Sequence, residues 1–199
     1  MWKELKRLIK PDGAIVMTAS QPFTSKLVMS NIKMFKYCLV WDKILISGFL
    51  NANRMPLRSH EDILVFYSRQ PTYNPQKTKG VKSHGKGSMS KTTNNDYGKY
   101  NPIDTSGVLG EMKHPKSIIS FEKPHPSKSV HPTQKPVALM EYLIKTYTSE
   151  GDVVLDFTAG SFTTGVACLR TKRSFIGIEK DEKYFKIGKE RMEKEDFLR

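Results

Sequence analysis

A loop of small and hydroxyl-bearing residues offers the clearest chemistry in this sequence. It runs from Asp156 to Gly165, follows the apolar run VVLDF and precedes a helical pattern. A glycine-containing turn between a strand and a helix directs backbone N–H groups to the helix N-terminus, where a carboxylate or a phosphate is stabilised. Such turns also serve as plain connections in α/β proteins, so the loop alone leaves a purely structural role open.

One acid lies where it could complete a nucleoside site. Glu179 closes the next apolar run, FIGIE, about twenty residues after the loop, and a carboxylate there can accept hydrogen bonds from ribose hydroxyls. Phe162 stands where the dinucleotide fingerprint has a glycine, at the point where the backbone must approach a pyrophosphate. The pattern therefore counts against NAD or FAD and favours a nucleoside cofactor without pyrophosphate, such as S-adenosylmethionine.

A second polar motif, HPTQKP at residues 131–136, precedes another helical pattern. A proline in the first turn with polar residues before it is typical of an ordinary helix start. The same polar side chains at a helix N-terminus could instead hold the carboxylate of an amino acid. Both interpretations stay open at this point.

Helices and strands alternate around these motifs. Apolar periodicity predicts helices at Trp2–Ile9, around Phe23–Ile32, at Val137–Tyr147, around Val166–Leu169 and from Asp181 onward. Apolar, β-rich runs predict strands at 14–19, 38–41, 63–67, 153–157 and 175–179. The last strand–helix–strand–helix run is one βαβ unit, whose strands pair in parallel, so the chain is predicted to have an α/β fold.

The stretch from residue 71 to residue 130 has a different composition. It is rich in lysine, glycine and proline, and its sparse apolar residues follow no period, so we expect much of it to be mobile when free. The chain carries a net charge of +13. Residues 1–70 have eleven basic and five acidic side chains, residues 71–130 ten and four, and residues 131–199 twelve and eleven. This uneven excess favours a polyanionic partner, nucleic acid in particular, over a merely solvated basic surface.

Several classes of protein are excluded. The two cysteines, Cys38 and Cys168, are far apart and form no CxxC or Cys/His cluster, which predicts reduced thiols and no metal site. No apolar run approaches the length of a membrane span, and the N-terminal residues are too charged for a signal peptide. We expect a cytoplasmic protein of bacterial or phage type that has no membrane partner.

Six sequence blocks together resemble the permuted (beta-type) DNA amino-methyltransferases. HPTQKPVALMEYLI, VVLDFTAGSFTTGVAC and FIGIEKDEKYF are similar to the family's C-terminal half. KELKRLIKPDGAIVMTASQPFTSKLVMSN, KYCLVWDK and HEDILVFYSRQPTYNPQ are similar to its middle section. These enzymes transfer a methyl group from S-adenosylmethionine to adenine N6 or cytosine N4. The resemblance implies a Rossmann-like methyltransferase sheet in permuted order with helices on both faces.

The resemblance also implies a role for each matched residue. It assigns binding of S-adenosylmethionine to Asp156, Thr158, Gly160, Ser161, Thr163, Glu179 (the ribose acceptor), His131, Thr133 and Lys135. The 71–130 stretch takes the position of a target-recognition insert for double-stranded DNA, with Lys77, Lys79, Lys82, Lys86 and Lys91 on phosphates and Tyr73, Tyr97 and Tyr100 on bases. Residues 1–70 become a partial catalytic and base-binding section, and residues 131–199 the section that binds the cofactor.

The family's catalytic signature, Asp/Asn/Ser-Pro-Pro-Tyr/Phe at the end of a strand, does not occur in this sequence. In the family that strand lies between the two formed here by AIVMTA and VVLDF. Without it, two buried strand edges would keep unpaired N–H and C=O groups. We therefore expect a C-terminal portion of a longer or split methyltransferase, with the catalytic strand on a separate N-terminal half and no activity in this chain alone.

Other interpretations stay open. The family usually has Gly-Ser-Gly where this chain has Gly160-Ser161-Phe162, and the added side chain could narrow the cofactor cleft or force φ into the ordinary region. The chain could be a DNA methyltransferase preferring adenine N6, which overall block similarity favours, or a non-catalytic DNA-binding remnant or recognition subunit. A third possibility keeps S-adenosylmethionine but moves the methyl group to RNA or protein.

Overall fold

The computed structural model describes residues 1–80, 112–125, 127 and 129–197. The chain forms two compact units, one made of Met1–Pro75 with Lys116–Arg199 and the other of Gln76–Pro115. The helices are α1 (Trp2–Leu8), α2 (Phe23–Ser30), α3 (Val137–Tyr147), α4 (Thr163–Thr171) and α5 (Glu182–Phe197). The strands are β1 (Ile15–Ala19), β2 (Phe35–Ser47), β3 (Arg58–Phe66), β4 (Thr78–Lys79), β5 (Met112–Lys113), β6 (Ile118–Ser120), β7 (Val153–Asp156) and β8 (Ser174–Gly177).

The larger unit contains a four-stranded sheet in the order β1-β3-β2-β6. β3 is antiparallel to both of its neighbours, and β6 runs parallel to β2. Because successive strand residues face opposite sides of a sheet, the apolar run of β3 fills two cores. Ile63 and Val65 pack with Trp41 and α3 on one face, while Leu64 and Phe66 pack with α1 and α2 on the other. Helices therefore cover both faces, as predicted.

The strands β2 and β3 extend well beyond the runs 38–41 and 63–67 that the sequence predicts. Their outer residues form a hairpin whose apolar side chains, such as Ile44 and Ile46, are exposed. The prediction identified only the buried centre of each strand, because the hairpin ends are not held by a core.

A second, two-stranded sheet carries the predicted βαβ unit. β7 and β8 are parallel, with Asp156 opposite Gly177, and α4 connects them. α4 packs on α3 through Ile144, Ala167 and Cys168. Both cysteines are free thiols, as the sequence predicts.

Strands β1 and β7 of the larger unit each lie at an edge of their sheet, as β6 and β8 also do. Within the described ranges, β1 pairs only with β3 and β7 pairs only with β8. The segments that lead into these two strands are close together, since Lys10 Nζ lies 3.0 Å from Asp152 Oδ1. Insertion of a further strand between β1 and β7 stays a prediction.

Both ends of the 71–130 stretch belong to the larger unit. Asn74 caps the C-terminal end of α3, donating from its amide to Thr146 O (2.8 Å) and from Nδ2 to Lys145 O and Thr148 O. Ile119 is buried in β6. The second unit is thus narrower than the predicted insert, and in it β4 pairs with β5. Because the 71–130 stretch has low hydrophobicity overall, its composition does not reveal the few residues that pack its two ends against the rest of the larger unit.

The prediction of an apolar, periodic helix around Phe23–Ile32 is wrong in part. The helix ends at Ser30, so Ile32 lies outside it, and Phe23 and Ile32 are exposed while Leu27 is buried. A turn follows α2, in which Met34 donates its amide to Asn31 O at 3.1 Å. The chain then enters β2 directly, so the helix does not continue to Ile32. None of the helices in the described residues combines the length and apolar character needed to cross a membrane.

Candidate functional site

The loop after β7 is fixed to the end of β8 by its own backbone. Gly160 has a φ of +52°, a left-handed conformation that glycine adopts without cost. Its amide donates to Glu179 Oε2 at 2.8 Å, and the amide of Ala159 donates to Ile178 O at 3.0 Å. The acid that the sequence pairs with the loop therefore touches it directly.

Glu179 is held in its ionised form. Its Oε1 accepts from the amide of Asp181 at 2.9 Å, and this bond lowers the pKa of the carboxyl most, with the Gly160 amide and the nearby His131 adding to the effect. Each carboxylate oxygen offers two lone pairs. The side chain is half-buried, so the anion keeps acceptor capacity beyond these two amides.

Asp156 organises the start of the loop. Its Oδ1 accepts from the amide of Thr158 at 3.0 Å, and its Oδ2 accepts from Thr164 Oγ1 at 2.6 Å. The aspartate thereby joins the end of β7 to the first turn of α4. Thr158 itself is exposed at the loop surface.

Ser161 and Thr163 are buried, and a half-buried arginine contacts them. Arg191 Nη1 donates to the carbonyl of Ser161, to Ser161 Oγ at 2.8 Å and to Thr163 Oγ1 at 3.3 Å. Burial lowers the pKa of this guanidinium. The sequence analysis missed Arg191, although it lies three residues after Gly188 on the face of α5 that packs against the loop.

Phe162 does not have the effect that the sequence analysis expected. Its φ is +56°, so the prediction of an ordinary φ is wrong. The ring is buried and packs edge-on against Phe175 and Phe185, at centroid distances of 5.6 and 5.5 Å. It occupies the space left by the absent side chain of Gly188. The side chain thus fills the interior beneath the loop and does not narrow its outer surface.

The HPTQKP motif lies against the same loop. A Cβ placed on Gly160 would come within 3.4 Å of the His131 ring, and that ring stacks edge-on against Tyr184 at 4.2 Å. Thr133 donates its amide to His131 Nδ1 at 3.2 Å. Gln134 Oε1 accepts from Ser161 Oγ at 3.4 Å, so three of the motif's side chains form one group with the loop.

Lys135 points to a different partner. Its Nζ lies 2.6 Å from Glu61 Oε2 and 5.4 Å from the centre of the Trp41 ring. Lys43 Nζ lies 3.4 Å from the other oxygen of Glu61. The sequence analysis missed Glu61, whose signal was an acid at the beginning of the apolar run ILVFY.

The residues predicted to contact DNA fall into three groups. Tyr73 packs against Tyr147 at 6.3 Å, at the opposite end of α3 from the HPTQKP motif, roughly 16 Å along an eleven-residue helix. Lys77 and Lys79 are exposed residues of the second unit. The other predicted contacts, Lys82, Lys86, Lys91, Tyr97 and Tyr100, lie outside the described residues.

This geometry defines a class of protein. The larger unit combines a left-handed glycine after a parallel strand with an ionised acid at the end of the next strand and with helices on both sheet faces. That combination is typical of Rossmann-like folds that bind a nucleoside-bearing cofactor. Within the part of the chain that the structure describes, no His, Cys, Asp and Glu side chains are grouped to hold a metal ion.

Residues 1–190 match the family described as DNA methylase, and the chain belongs to this family. It is 29% identical over 198 residues to the Type II methyltransferase M.HpaI of Haemophilus parainfluenzae. The aligned region covers 97% of this chain and 57% of M.HpaI. It is 49% identical over 63 residues to the DNA adenine methyltransferase YhdJ of Escherichia coli (strain K12), covering 32% of this chain and 21% of YhdJ. The chain thus spans little more than half the length of the first of these relatives.

The fold has a counterpart among solved structures. The M1.HpyAVI–SAM complex superposes with a TM-score of 0.66 at 28% identity, covering 94% of this chain and 78% of that one. The fold class predicted from the sequence is therefore confirmed.

Proposed function

We propose that this chain takes part in methylation of double-stranded DNA, with S-adenosylmethionine as the methyl donor and an exocyclic base amino group as the acceptor. The observation that carries the proposal is the contact between the amide of Gly160 and Glu179 Oε2. It places an ionised acceptor beside a loop whose glycine has no side chain to block a ligand. Membership of the DNA methylase family adds independent support.

The residues present fit this cofactor. Glu179 has lone pairs left for ribose hydroxyls, and no pyrophosphate must be held near Phe162. His131, Thr133 and Gln134 offer polar atoms beside Gly160 and Ser161, where the amino-acid end would be oriented. S-adenosylmethionine, when bound, supplies an activated methyl group. The loop and the HPTQKP motif bind and orient it.

The acceptor is proposed to be adenine N6. YhdJ is a DNA adenine methyltransferase, and the similarity to it covers 32% of this chain. DNA would be held by the basic excess of residues 1–130, including Lys77 and Lys79, because lysines that neutralise phosphates supply sequence-independent affinity. The segment 71–130 would then recognise the target sequence. These activities would take place in the bacterial or phage-infected cytoplasm.

A catalytic strand would have to come from a segment outside this sequence. β1 and β7 each have one edge without a strand partner in the described residues, and an open edge is a template for pairing. We propose that a strand ending in the Asp/Asn/Ser-Pro-Pro-Tyr/Phe signature pairs there, on the same polypeptide or on a separate half. The chain alone would then bind the cofactor without transferring the methyl group.

The test is calorimetric titration of the purified chain with S-adenosylmethionine, together with transfer of a labelled methyl group to duplex DNA. Binding that Glu179→Ala weakens and the exposed-acid control Glu150→Ala does not would support the proposal. Binding of DNA without binding of the cofactor would instead favour a recognition subunit or remnant. Methyl transfer by the chain alone would contradict the need for a further strand, and transfer to RNA or protein but not to DNA would change the substrate.

A further inference from the structure

One carboxylate on β3, an inner strand of the four-stranded sheet, binds two lysines. Glu61 lies 2.6 Å from Lys135 Nζ and 3.4 Å from Lys43 Nζ. We call these three residues the Glu61 cluster. The side chain of Lys43 is only 6% exposed, and those of Glu61 and Lys135 are each 23% exposed. A paired ion in such surroundings is costly to leave without its partner.

The cluster holds one end of a segment that has no regular structure of its own. Residues 131–135 precede α3 and lie outside any helix or strand. At one end His131 packs on Gly160, and at the other Lys135 binds Glu61. Ser129 Oγ donates to His131 O at 2.7 Å and the Val130 amide donates to Gln134 Oε1 at 3.0 Å. Lys135 adds the segment's link to the four-stranded sheet, so the position of His131 and Gln134 against the loop depends in part on that anchor.

We propose that Glu61 is a positioning residue for the cofactor loop. Through Lys135 it fixes residues 131–135, and these residues in turn place the His131 ring and the Gln134 carbonyl against Gly160 and Ser161. Among the described residues, Glu61 forms its ion pairs with Lys43 and Lys135 and not with a residue of the loop. The identity of the ligand rests on the proposed function, whereas the link from Glu61 to the segment does not.

Loss of Glu61 affects its two partners differently. Lys135 is partly exposed and can turn into solvent, taking the segment with it. Lys43 is buried and stays where it is, so the two ammonium groups separate. Glu61→Gln keeps the shape of the side chain and removes the charge that holds both, which makes it the informative substitution.

The chain offers a matched control in Glu141. Its side chain is 22% exposed and it also binds two cations, Lys145 at 3.7 Å and Arg170 at 3.5 Å. It lies on α3 and does not contact residues 131–135. Glu141→Gln therefore makes the same chemical change at similar burial without touching the anchor.

Two measurements test the proposal. We expect Glu61→Gln to raise the Kd for S-adenosylmethionine roughly tenfold, because a charge-assisted anchor is lost, while Glu141→Gln changes it less than twofold. Hydrogen exchange without cofactor should be about tenfold faster at the amides of Thr133 and Gln134 in Glu61→Gln alone. Equal effects of the two substitutions on both measurements would overturn the proposal.

A double-mutant cycle tests whether Glu61 acts through Lys135 or through Lys43. In a Lys135→Met background, Glu61→Gln should weaken binding no further, whereas in a Lys43→Met background its effect should persist. An additive effect with Lys135→Met would refute action through Lys135. If Glu61→Gln does not fold, Lys135→Met tests the same link, since Glu61 stays paired with Lys43. If the unaltered chain binds no S-adenosylmethionine, the proposed function fails, and the exchange rates still decide the role of Glu61.

Discussion

Gly160 and Glu179 meet at 2.8 Å, amide to carboxylate, and this contact closes the turn after β7 with the acid that ends the next strand. The two residues are 19 positions apart in the sequence. Their contact makes the conformation of the loop depend on the charge of one side chain. The loop and the acid therefore act as one unit.

The charge of Glu179 should contribute fully to stability above its ordinary pKa and progressively less below it. The folded state lowers this pKa from 4.5, so the contribution is fully present above about pH 4.5 and is lost as the pH falls through the lowered value. Urea unfolding of the unaltered chain and of Glu179→Gln should differ by a constant amount at pH 5–7 and converge below pH 4.5. Glu150→Gln, an exposed acid, serves as the control, and a difference that grows on acidification would contradict the prediction.

Gly160→Ala should weaken cofactor binding, and Gly151→Ala should not. Both glycines have positive φ, +52° and +85°, so each substitution should cost about 1–2 kcal/mol of unfolding free energy. Only the Cβ of an alanine at 160 meets a neighbour, the His131 ring at 3.4 Å, whereas that at 151 enters open space. Titration with S-adenosylmethionine separates the two, and equal affinities would argue against a role for the Gly160–His131 contact.

Gly188→Ala should destabilise the chain through Phe162. The added Cβ would lie 2.5 Å from Phe162 Cγ, and overpacking of this kind costs about 1–3 kcal/mol. Phe162→Leu should relieve the clash, so the double variant should lose less stability than the sum of the two single variants. Urea unfolding of all four proteins measures the coupling, and strict additivity would show that the ring and the helix do not share this space.

Arg191→Met should destabilise the loop more than Arg170→Met does. Arg191 is the donor to Ser161 and Thr163, both buried, and acceptors left buried without a donor cost about 1–3 kcal/mol. Arg170 is 46% exposed and pairs with Glu195 and Glu141, and exposed pairs contribute about 0–1 kcal/mol. Thermal unfolding compares the two variants, and an equal loss would mean that Arg191 is not a support of the loop.

Local patterns explain which parts of the fold could be predicted from the sequence. The βαβ unit is predictable because VVLDF and FIGIE are apolar runs separated by one helix, and the structure pairs them in parallel. The continuous apolar, β-rich run that contains Ile63, Leu64, Val65 and Phe66 indicates a strand for the same reason. By contrast, β6 depends on pairing with β2, more than 70 residues away in sequence, and no local pattern reports such pairing.

In the candidate site, too, local patterns predict some contacts, whereas contacts between residues distant in sequence could not be predicted. Gly160 and Glu179 follow from their positions at strand ends, and the structure places them in contact. The partner of Lys135 could not be predicted, because Glu61 lies 74 positions away. The effect of Phe162 was predicted wrongly because the space that receives its ring is created by Gly188, on a helix 26 positions further along the chain.

The support beneath the loop has a consequence for the nascent chain. Arg191 is synthesised 30 residues after Ser161, and at translation rates of roughly 5–20 residues per second that interval lasts about 2–6 seconds. During this time the loop has left the peptidyl-transferase centre while its guanidinium donor has not yet been made. The loop therefore reaches its final shape only when the last helix arrives, so a chain interrupted before α5 would lack an ordered cofactor loop even with every loop residue already in place.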